Sequence, residues 1–162
     1  RPPRSTPLYS SAASDVYKRQ VAIRGLAGSS KLAAPSITSC RFITSTHTNG
    51  GSKTITVEVT WDEEVTVAGS PQIVLANGNQ STDGDGNATL TYTATGSTSN
   101  RKRFTNASLT LSTNDVYTLG GGSQANIVLA SSSTISDTVR GGTNLAASLV
   151  LTGLTAQTQT IA

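Results

Sequence analysis

The segment TDGDGN, residues 82–87, has the residue types and the spacing that could hold a calcium ion. Its oxygen donors alternate with glycines and are Asp83, Asp85 and Asn87. Ca²⁺ takes about six to eight oxygen ligands. An EF-hand loop starting here would need Gly where the chain has Ala88 and Glu where it has Ala94, so an EF-hand is excluded. The segment predicts either a weaker calcium site between strands, completed by Asp62 or Glu63, or a polar hairpin loop.

The segment NRKRF, residues 100–104, contains the basic cluster Arg101, Lys102 and Arg103. Three positive charges beside Phe104 could bind a phosphate or an acidic glycan, because guanidinium and ammonium groups pair with such anions. The same charges would also suit a solvated loop, or a strand edge that is protected from pairing with another chain. Both interpretations remain open from the sequence.

A catalytic centre cannot be assembled from the remaining reactive residue types. Glu63 and Glu64 are adjacent at a predicted strand corner, where their side chains diverge. His47 is the one histidine and lies in a predicted turn, and the single Cys40 is predicted to be a small buried residue. The glycines of LGGGS, residues 119–123, are followed by no predicted helix and read as a flexible connection. We therefore expect a protein that is not an enzyme and that has no cofactor beyond the candidate calcium ion.

The composition indicates which elements must position these residues. Ser and Thr number 22 and 26, so 48 of 162 residues carry a small hydroxyl, while hydrophobic residues are 35% and charged residues 13%. Thr, Val and Ile suit a pleated, half-buried surface, and Ser, Gly and Asn suit the turns between strands. This composition is typical of an all-β extracellular or virion-type protein.

The segment KTITVEVTW, residues 53–61, shows the clearest strand period of two. The residues predicted to face the core are Ile55, Val57, Val59 and Trp61, and those predicted to face water are Thr54, Thr56, Glu58 and Thr60. In ITSCRFITST, the residues predicted to share one face are Thr38, Cys40 and Phe42. The further predicted strands are EVTVAG, QIVLANG, NATLTYTAT, ASLTLS, NIVLA, STISD and ASLVLTG. We expect an all-β, antiparallel sandwich of about seven to nine strands in two packed sheets.

Residues 1–20 differ from the rest of the chain in charge. They hold four basic residues and one acidic residue, 4 − 1 = +3, and the remainder is neutral with 12 − 4 = 8 basic and 9 − 1 = 8 acidic residues. DVYKRQ, residues 15–20, resembles a translated sequencing-library adapter, and the chain contains no Met. We expect a fragment assembled from environmental DNA, with a disordered, non-native leader over 1–20, a linker over 21–35 and one β domain over 36–162.

The neutral remainder of the chain bears on its partners. A neutral domain has no long-range field that would steer it to nucleic acid or to an anionic membrane, so neither is an expected partner. A membrane-spanning helix needs about 18 or more consecutive apolar residues, and the sequence has no such stretch.

Residues 55–75, ITVEVTWDEEVTVAGSPQIVL, resemble the bacterial Ig-like repeats of large surface proteins, adhesins and marine phage structural proteins. The matching features are an alternating strand, the aromatic corner WDEEV, and the pattern Val-x-Gly-x-Pro-x-[Leu/Ile]-x-Leu at residues 67–75. Weaker matches occur at LTYTA, residues 90–94, and at ISD, residues 135–137. TSNRKRFTN, residues 98–106, stands where the family has a Gly-Asp connection. The resemblance covers residues 36–151, one repeat.

This resemblance implies an immunoglobulin-like sandwich that serves as a non-enzymatic structural or attachment module. It favours a phage virion, as a capsid decoration or fibre protein; the alternatives are one repeat of a bacterial cell-surface adhesin and a carbohydrate-binding module of a secreted protein. The implied location is the virion or the cell surface. Expected partners are other copies of the chain, other virion or surface proteins, and a host-surface glycan. A carbohydrate-binding module would expose aromatic platforms, for which Tyr92 and Tyr117 are the candidates outside the leader and the core Trp.

Overall fold

The computed structural model describes residues 34–44, 47–50, 52–78, 86–137 and 144–162. Within these ranges the regular secondary structure consists of strands and includes no helix. The nine strands are β1 (Ile37–Phe42), β2 (Ser52–Trp61), β3 (Val65–Ala68), β4 (Gln72–Asn77), β5 (Ala88–Thr93), β6 (Arg101–Thr110), β7 (Val116–Leu119), β8 (Thr134–Asp137) and β9 (Gln157–Thr160). All of the named strands pair antiparallel. The predicted all-β antiparallel sandwich is therefore confirmed.

Seven of these strands form one sheet whose two ends approach each other. Its order is β1-β2-β6-β5-β4-β7-β9. At the ends, the Gln157 amide of β9 donates to the Cys40 carbonyl at 2.9 Å, and its Oε1 lies 3.4 Å from the Phe42 amide nitrogen. Beyond this contact His47 forms a parallel bridge with Ile161. The sheet thus curls almost into a barrel, and a glutamine side chain takes the place of backbone pairing along the seam.

The core lies inside the curled sheet and beneath the two-stranded sheet of β3 and β8. Side chains from distant parts of the chain meet in one cluster, including Trp61, Phe104, Tyr117, Leu119 and Ile161. The alternation in β2 is confirmed on its apolar side, because all four predicted core residues are fully buried. The indole Nε1 of Trp61 donates to the carbonyl of Ser148 at 3.1 Å, which gives the buried ring its polar partner.

The largest difference from the sequence prediction concerns residues 98–106. Most of this segment belongs to β6, which lies between β2 and β5 in the interior of the sheet. The interpretation of NRKRF as a solvated loop or a strand edge is therefore wrong. Strand alternation places Phe104 in the core, fully buried against Val57 of β2, and turns the arginines to the opposite face.

Two short strands were not predicted, and two predicted strands are irregular. β7 and β9 have four residues each: β7 reads VYTL, a run too short to stand out in the sequence, and β9 reads QTQT without an apolar residue. NIVLA contributes an isolated bridge between Val128 and Gln72. ASLVLTG forms no strand and makes separate backbone bonds, such as Ala147 to Ile135. Ile127 of the first segment and Ala147 and Leu151 of the second reach the core without pairing in a ladder.

Two local features also depart from the simple patterns. In β1, Ile37 pairs with Trp61 and Ser39 with Thr60, so Thr38 lies in a bulge and is exposed rather than sharing the face of Cys40. Gly120 ends β7 with φ +78°, and a Cβ there would lie 3.0 Å from the Thr155 carbonyl and 3.3 Å from the Cys40 sulfur. The glycine-rich segment after β7 is therefore a fitted turn at Gly120 and not a loose connection.

Candidate functional site

A buried carboxylate on the outer face of the large sheet organises the most charged site of the described residues. Glu58 alternates with Val57 and Val59 in β2, so its side chain lies on the face opposite the core, yet it is 2% exposed. The register places Arg41 of β1 beside it on one side and Arg103 of β6 on the other. The sequence predicted a wet position for Glu58, and this prediction is wrong because two arginines cover the carboxylate.

The contacts around Glu58 are short and involve both carboxylate oxygens. Arg41 donates from Nη2 and Nε to Oε1 at 2.7 and 3.0 Å, and Arg103 donates from Nε to Oε2 at 3.2 Å. Arg101 is the third cation, with Nη1 at 3.8 Å from Oε1. We call Arg41, Arg101 and Arg103 around Glu58 the arginine cluster. It carries three positive charges and one negative charge, 3 − 1 = +2.

The surroundings of Glu58 act on its pKa in opposite directions. Burial raises the pKa of a carboxyl, but the hydrogen bonds from Arg41 and Arg103 and the charges of Arg41 and Arg101 outweigh burial. The pKa of Glu58 is therefore held below its usual value, and the group stays ionised at neutral pH. The carboxylate holds the guanidinium groups of Arg41 and Arg103 by hydrogen bonds and attracts the more distant Arg101 by its charge.

Replacing Glu58 with glutamine tests this role through the pH dependence of stability. Because the folded-state pKa lies below the unfolded value, the stabilisation is fully present above about pH 4.5 and is lost as pH falls through the folded pKa. We expect Glu58→Gln to lower the free energy of unfolding by about 1–2 kcal/mol at pH 7, less than for a fully buried pair because the arginine ends stay hydrated. Urea titrations at neutral pH and near pH 3 measure the difference.

The matched control for this test is Glu64→Gln, the same chemical change at an exposed position of the neighbouring corner. It should change the free energy of unfolding by less than about 0.5 kcal/mol. A difference between wild type and Glu58→Gln that persists undiminished at low pH would contradict the assignment, because the stabilisation that comes from a lowered pKa declines once the pH falls below about 4.5.

The predicted trio of Arg101, Lys102 and Arg103 is divided between the two faces of β6. The arginines face outward, whereas Lys102 is 8% exposed, and its Nζ donates to the Thr98 carbonyl at 2.7 Å. Burial lowers the pKa of Lys102, and the charge of Glu64 partly opposes this. The structure therefore brings together two of the three predicted contacts and places the third elsewhere.

Arg41 replaces Lys102 as the third member of the cluster, and sequence reasoning missed it. Its signal was weak but present, because Cys40 was predicted to face inward and the next residue of a strand faces outward. Finding it required the pairing of β1 with β2, which sets Arg41 opposite Glu58 over a separation of 17 residues.

The candidate calcium ligands can be followed only in part. Asp83 and Asp85 lie outside the described residues. The Asn87 side-chain oxygen accepts a hydrogen bond from the Asn77 backbone at 3.2 Å, and Asp62 accepts one from the Ser36 backbone at 2.9 Å. The described residues hold no group of three or more His, Cys, Asp or Glu side chains placed to bind a metal. The calcium site stays a prediction.

The residues with nucleophile or base character lie in structural positions. Cys40 is buried, and burial raises the pKa of its thiol, which disfavours the reactive thiolate. The His47 ring lies 3.2 Å from the Thr44 hydroxyl. Burial and the charge of Lys53 lower the pKa of His47, so the neutral ring predominates at pH 7.

A buried polar network joins β4 to the turn before β7, and no sequence motif predicted it. Asp115 is 1% exposed and accepts from the Asn77 side chain at 2.7 Å and from the Ser112 backbone at 3.0 Å. The hydroxyl of Tyr117 lies 3.4 Å from the same carboxylate, and the Asn77 carbonyl oxygen accepts from the Val116 backbone at 3.3 Å. The network fixes the turn and is closed to solvent.

Comparisons with known proteins leave these sites to be interpreted from their own geometry. The chain matches no protein-family model, no curated protein and no solved structure at a significant level. A search of the described residues for a helix long and apolar enough to cross a membrane finds none.

Proposed function

We propose that the chain is a non-enzymatic, immunoglobulin-like module for structure or attachment, carried by a phage virion as a capsid decoration or fibre domain. One observation carries the proposal: three buried side chains that could act as acid, base or nucleophile are engaged in contacts that hold the fold together. Glu58 binds arginines, Asp115 closes a turn, and Cys40 packs in the core. What the sheet offers to solvent is the outward part of the arginine cluster.

Exposed apolar side chains support contact with protein partners. Four large ones are exposed by 39–49% and are Val128, Leu129, Leu145 and Val150. Leu149 next to Val150 accepts a backbone bond from Ile127 next to Val128, so these two valines lie on adjoining segments. A decoration or fibre protein needs such a surface for other copies of the chain or for other virion proteins.

The aromatic residues argue against a sugar-binding module that works by ring stacking. Tyr117 is 1% exposed, and Tyr92 packs edge to face against Phe104 with ring centroids 6.2 Å apart. The other aromatic residues of the described part lie inward in β1 and β2: Phe42 packs on the core and Trp61 is buried within it. A bacterial adhesin repeat remains the alternative that shares this surface.

Particle fractionation tests the proposal. An antibody raised against the chain should label the virion band of a density gradient prepared from the source community, and the surrounding genes should encode capsid or tail proteins. Labelling of bacterial envelopes, together with further copies of the VTVAGSPQIVL pattern in the same reading frame, would instead establish the adhesin. Both would be refuted if the chain were recovered in the soluble secreted fraction and its gene also encoded a hydrolase.

A further inference from the structure

The arginine cluster presents more positive charge than its carboxylate neutralises. Glu58 takes three N–H donors at hydrogen-bond distance, two from Arg41 and one from Arg103. Each guanidinium has five N–H donors, so most donors of the three side chains are not used by Glu58. The side chains of Arg41, Arg101 and Arg103 are 57, 46 and 31% exposed, and their outward parts face solvent with a local charge of +2.

The cluster is held in place before any ligand arrives. Its members project from the adjacent strands β1, β2 and β6, of which β1 lies at one end of the sheet. Adjacent strands lie about 4.8 Å apart. Arg103 is further confined by Gly96, where φ is +73° and a Cβ would overlap the guanidinium. Ordering these long side chains therefore costs little at the moment of binding, which favours affinity.

The surface around the cluster suits an extended polar ligand. The register places Thr60 opposite Arg101 and Thr93 opposite Arg103, so hydroxyl groups flank the guanidinium groups on the same outer face. The next row continues with Thr56 and Thr105, whose hydroxyls lie 3.0 Å apart. Guanidinium groups bind carboxylate, sulfate and phosphate oxygens in pairs of hydrogen bonds, and threonine hydroxyls bind sugar hydroxyls.

Charge and composition separate the possible polyanions. Outside residues 1–20 the chain holds eight basic and eight acidic residues and is neutral, so the cluster is a local basic patch without a wider positive field that would attract long polyphosphates. Single-stranded nucleic acids also require aromatic side chains for base stacking, and the aromatic rings of the described strands lie on the inner face. These features favour a glycan with well-spaced anionic groups over a nucleic acid.

We propose that the arginine cluster and its flanking threonines bind the carboxylate or sulfate groups of an acidic polysaccharide. This inference rests on the attachment function proposed above and gives that module its ligand class. The guanidinium groups pair with the anionic substituents, the threonine hydroxyls contact the sugar hydroxyls, and Glu58 positions the arginines without touching the ligand.

Calorimetric titration of the full chain with defined oligosaccharides tests the inference. The probes are a sulfated oligosaccharide, a uronic acid oligosaccharide, a neutral dextran fragment and a short DNA duplex, all near physiological salt. We expect binding of one or both anionic sugars and none of dextran. Arg101→Ala should weaken that binding about tenfold, the equivalent of about 1.4 kcal/mol, and it should leave the fold intact because Arg101 has the longest contact with Glu58.

The matched control is Lys53→Ala, which removes one positive charge from the far end of β2 and keeps the basic residues 1–20 in the sample. It should bind the anionic sugars like wild type, and both variants should unfold at the wild-type temperature. Equal losses in the two variants would overturn the inference, because the binding would then follow net charge alone. Binding of DNA as tight as that of the sugars would overturn it too. If virions carry the chain but no anionic sugar binds, the attachment function stands and the ligand class is wrong.

Discussion

Replacing Trp61 with alanine is expected to lower the free energy of unfolding by about 3–5 kcal/mol. The side chain is fully buried at the end of β2, and its loss empties a large site in the middle of the core cluster. The Ser148 carbonyl would lose the donor that the indole provides. Urea titration followed by far-ultraviolet circular dichroism measures the change, since the variant has no tryptophan fluorescence.

Trp61→Phe separates the two contributions of this residue. It keeps most of the apolar volume and removes the hydrogen bond to Ser148, so we expect a smaller loss of about 1–2 kcal/mol. In the wild-type protein, fluorescence should be blue-shifted and poorly quenched by iodide. Free quenching in the folded state would contradict the burial of Trp61 and would return it to the list of surface platforms for sugars.

Replacing Asp115 with alanine is expected to lower the free energy of unfolding by about 3 kcal/mol. This loss comes from hydrogen bonds and does not require that an ion pair is broken. The carboxylate accepts bonds from the Asn77 side chain, the Ser112 backbone and the Tyr117 hydroxyl. These donors would lose a buried carboxylate acceptor, and a hydrogen bond to a charged group contributes about 1.5–3 kcal/mol. Thermal and urea unfolding give the size of the effect.

Asp115→Asn is the informative companion variant. Its one oxygen can still accept from Asn77, but its NH₂ group then faces the Ser112 N–H, and two donors cannot bond to each other. We therefore expect Asp115→Asn to be less stable than wild type and more stable than Asp115→Ala. The exposed Asp62→Asn, which keeps an oxygen acceptor for the Ser36 backbone, should have little effect. Stability of Asp115→Ala within about 0.5 kcal/mol of wild type would show that the network does not hold the turn.

The inward half of the fold could be predicted because it depends on local spacing. The period of two in β2 identified four buried residues, and the predicted strand QIVLANG, residues 72–78, agrees with β4 to within one residue. These signals are carried by a few consecutive residues. They reflect the geometry of a strand with one apolar face, and this geometry does not depend on which strand is its partner.

The candidate site could be predicted only in fragments because pairing brings it together. The sequence pattern of an outward-facing Glu is the same whether its side chain contacts water or arginines. The partners of Glu58 lie 17 and 45 residues away along the chain. The sequence did not predict the first half of β6 because NRKRF has few apolar residues. A basic run is typical of a loop as long as the neighbouring strand that contacts it is unknown. The neutralising carboxylate is what allows such a run into the interior of a sheet.

The seam between β1 and β9 has a consequence for the order in which the domain completes itself. Gln157 closes the sheet by bonding to Cys40, a residue 117 positions earlier, and Ile161 bridges back to His47. A ribosome therefore releases β1 long before the residues that shield its free edge exist. Closing so long a loop is entropically costly and slow, and until then the edge strand can pair with another nascent chain. The packing of β9 against β1 ends that exposure.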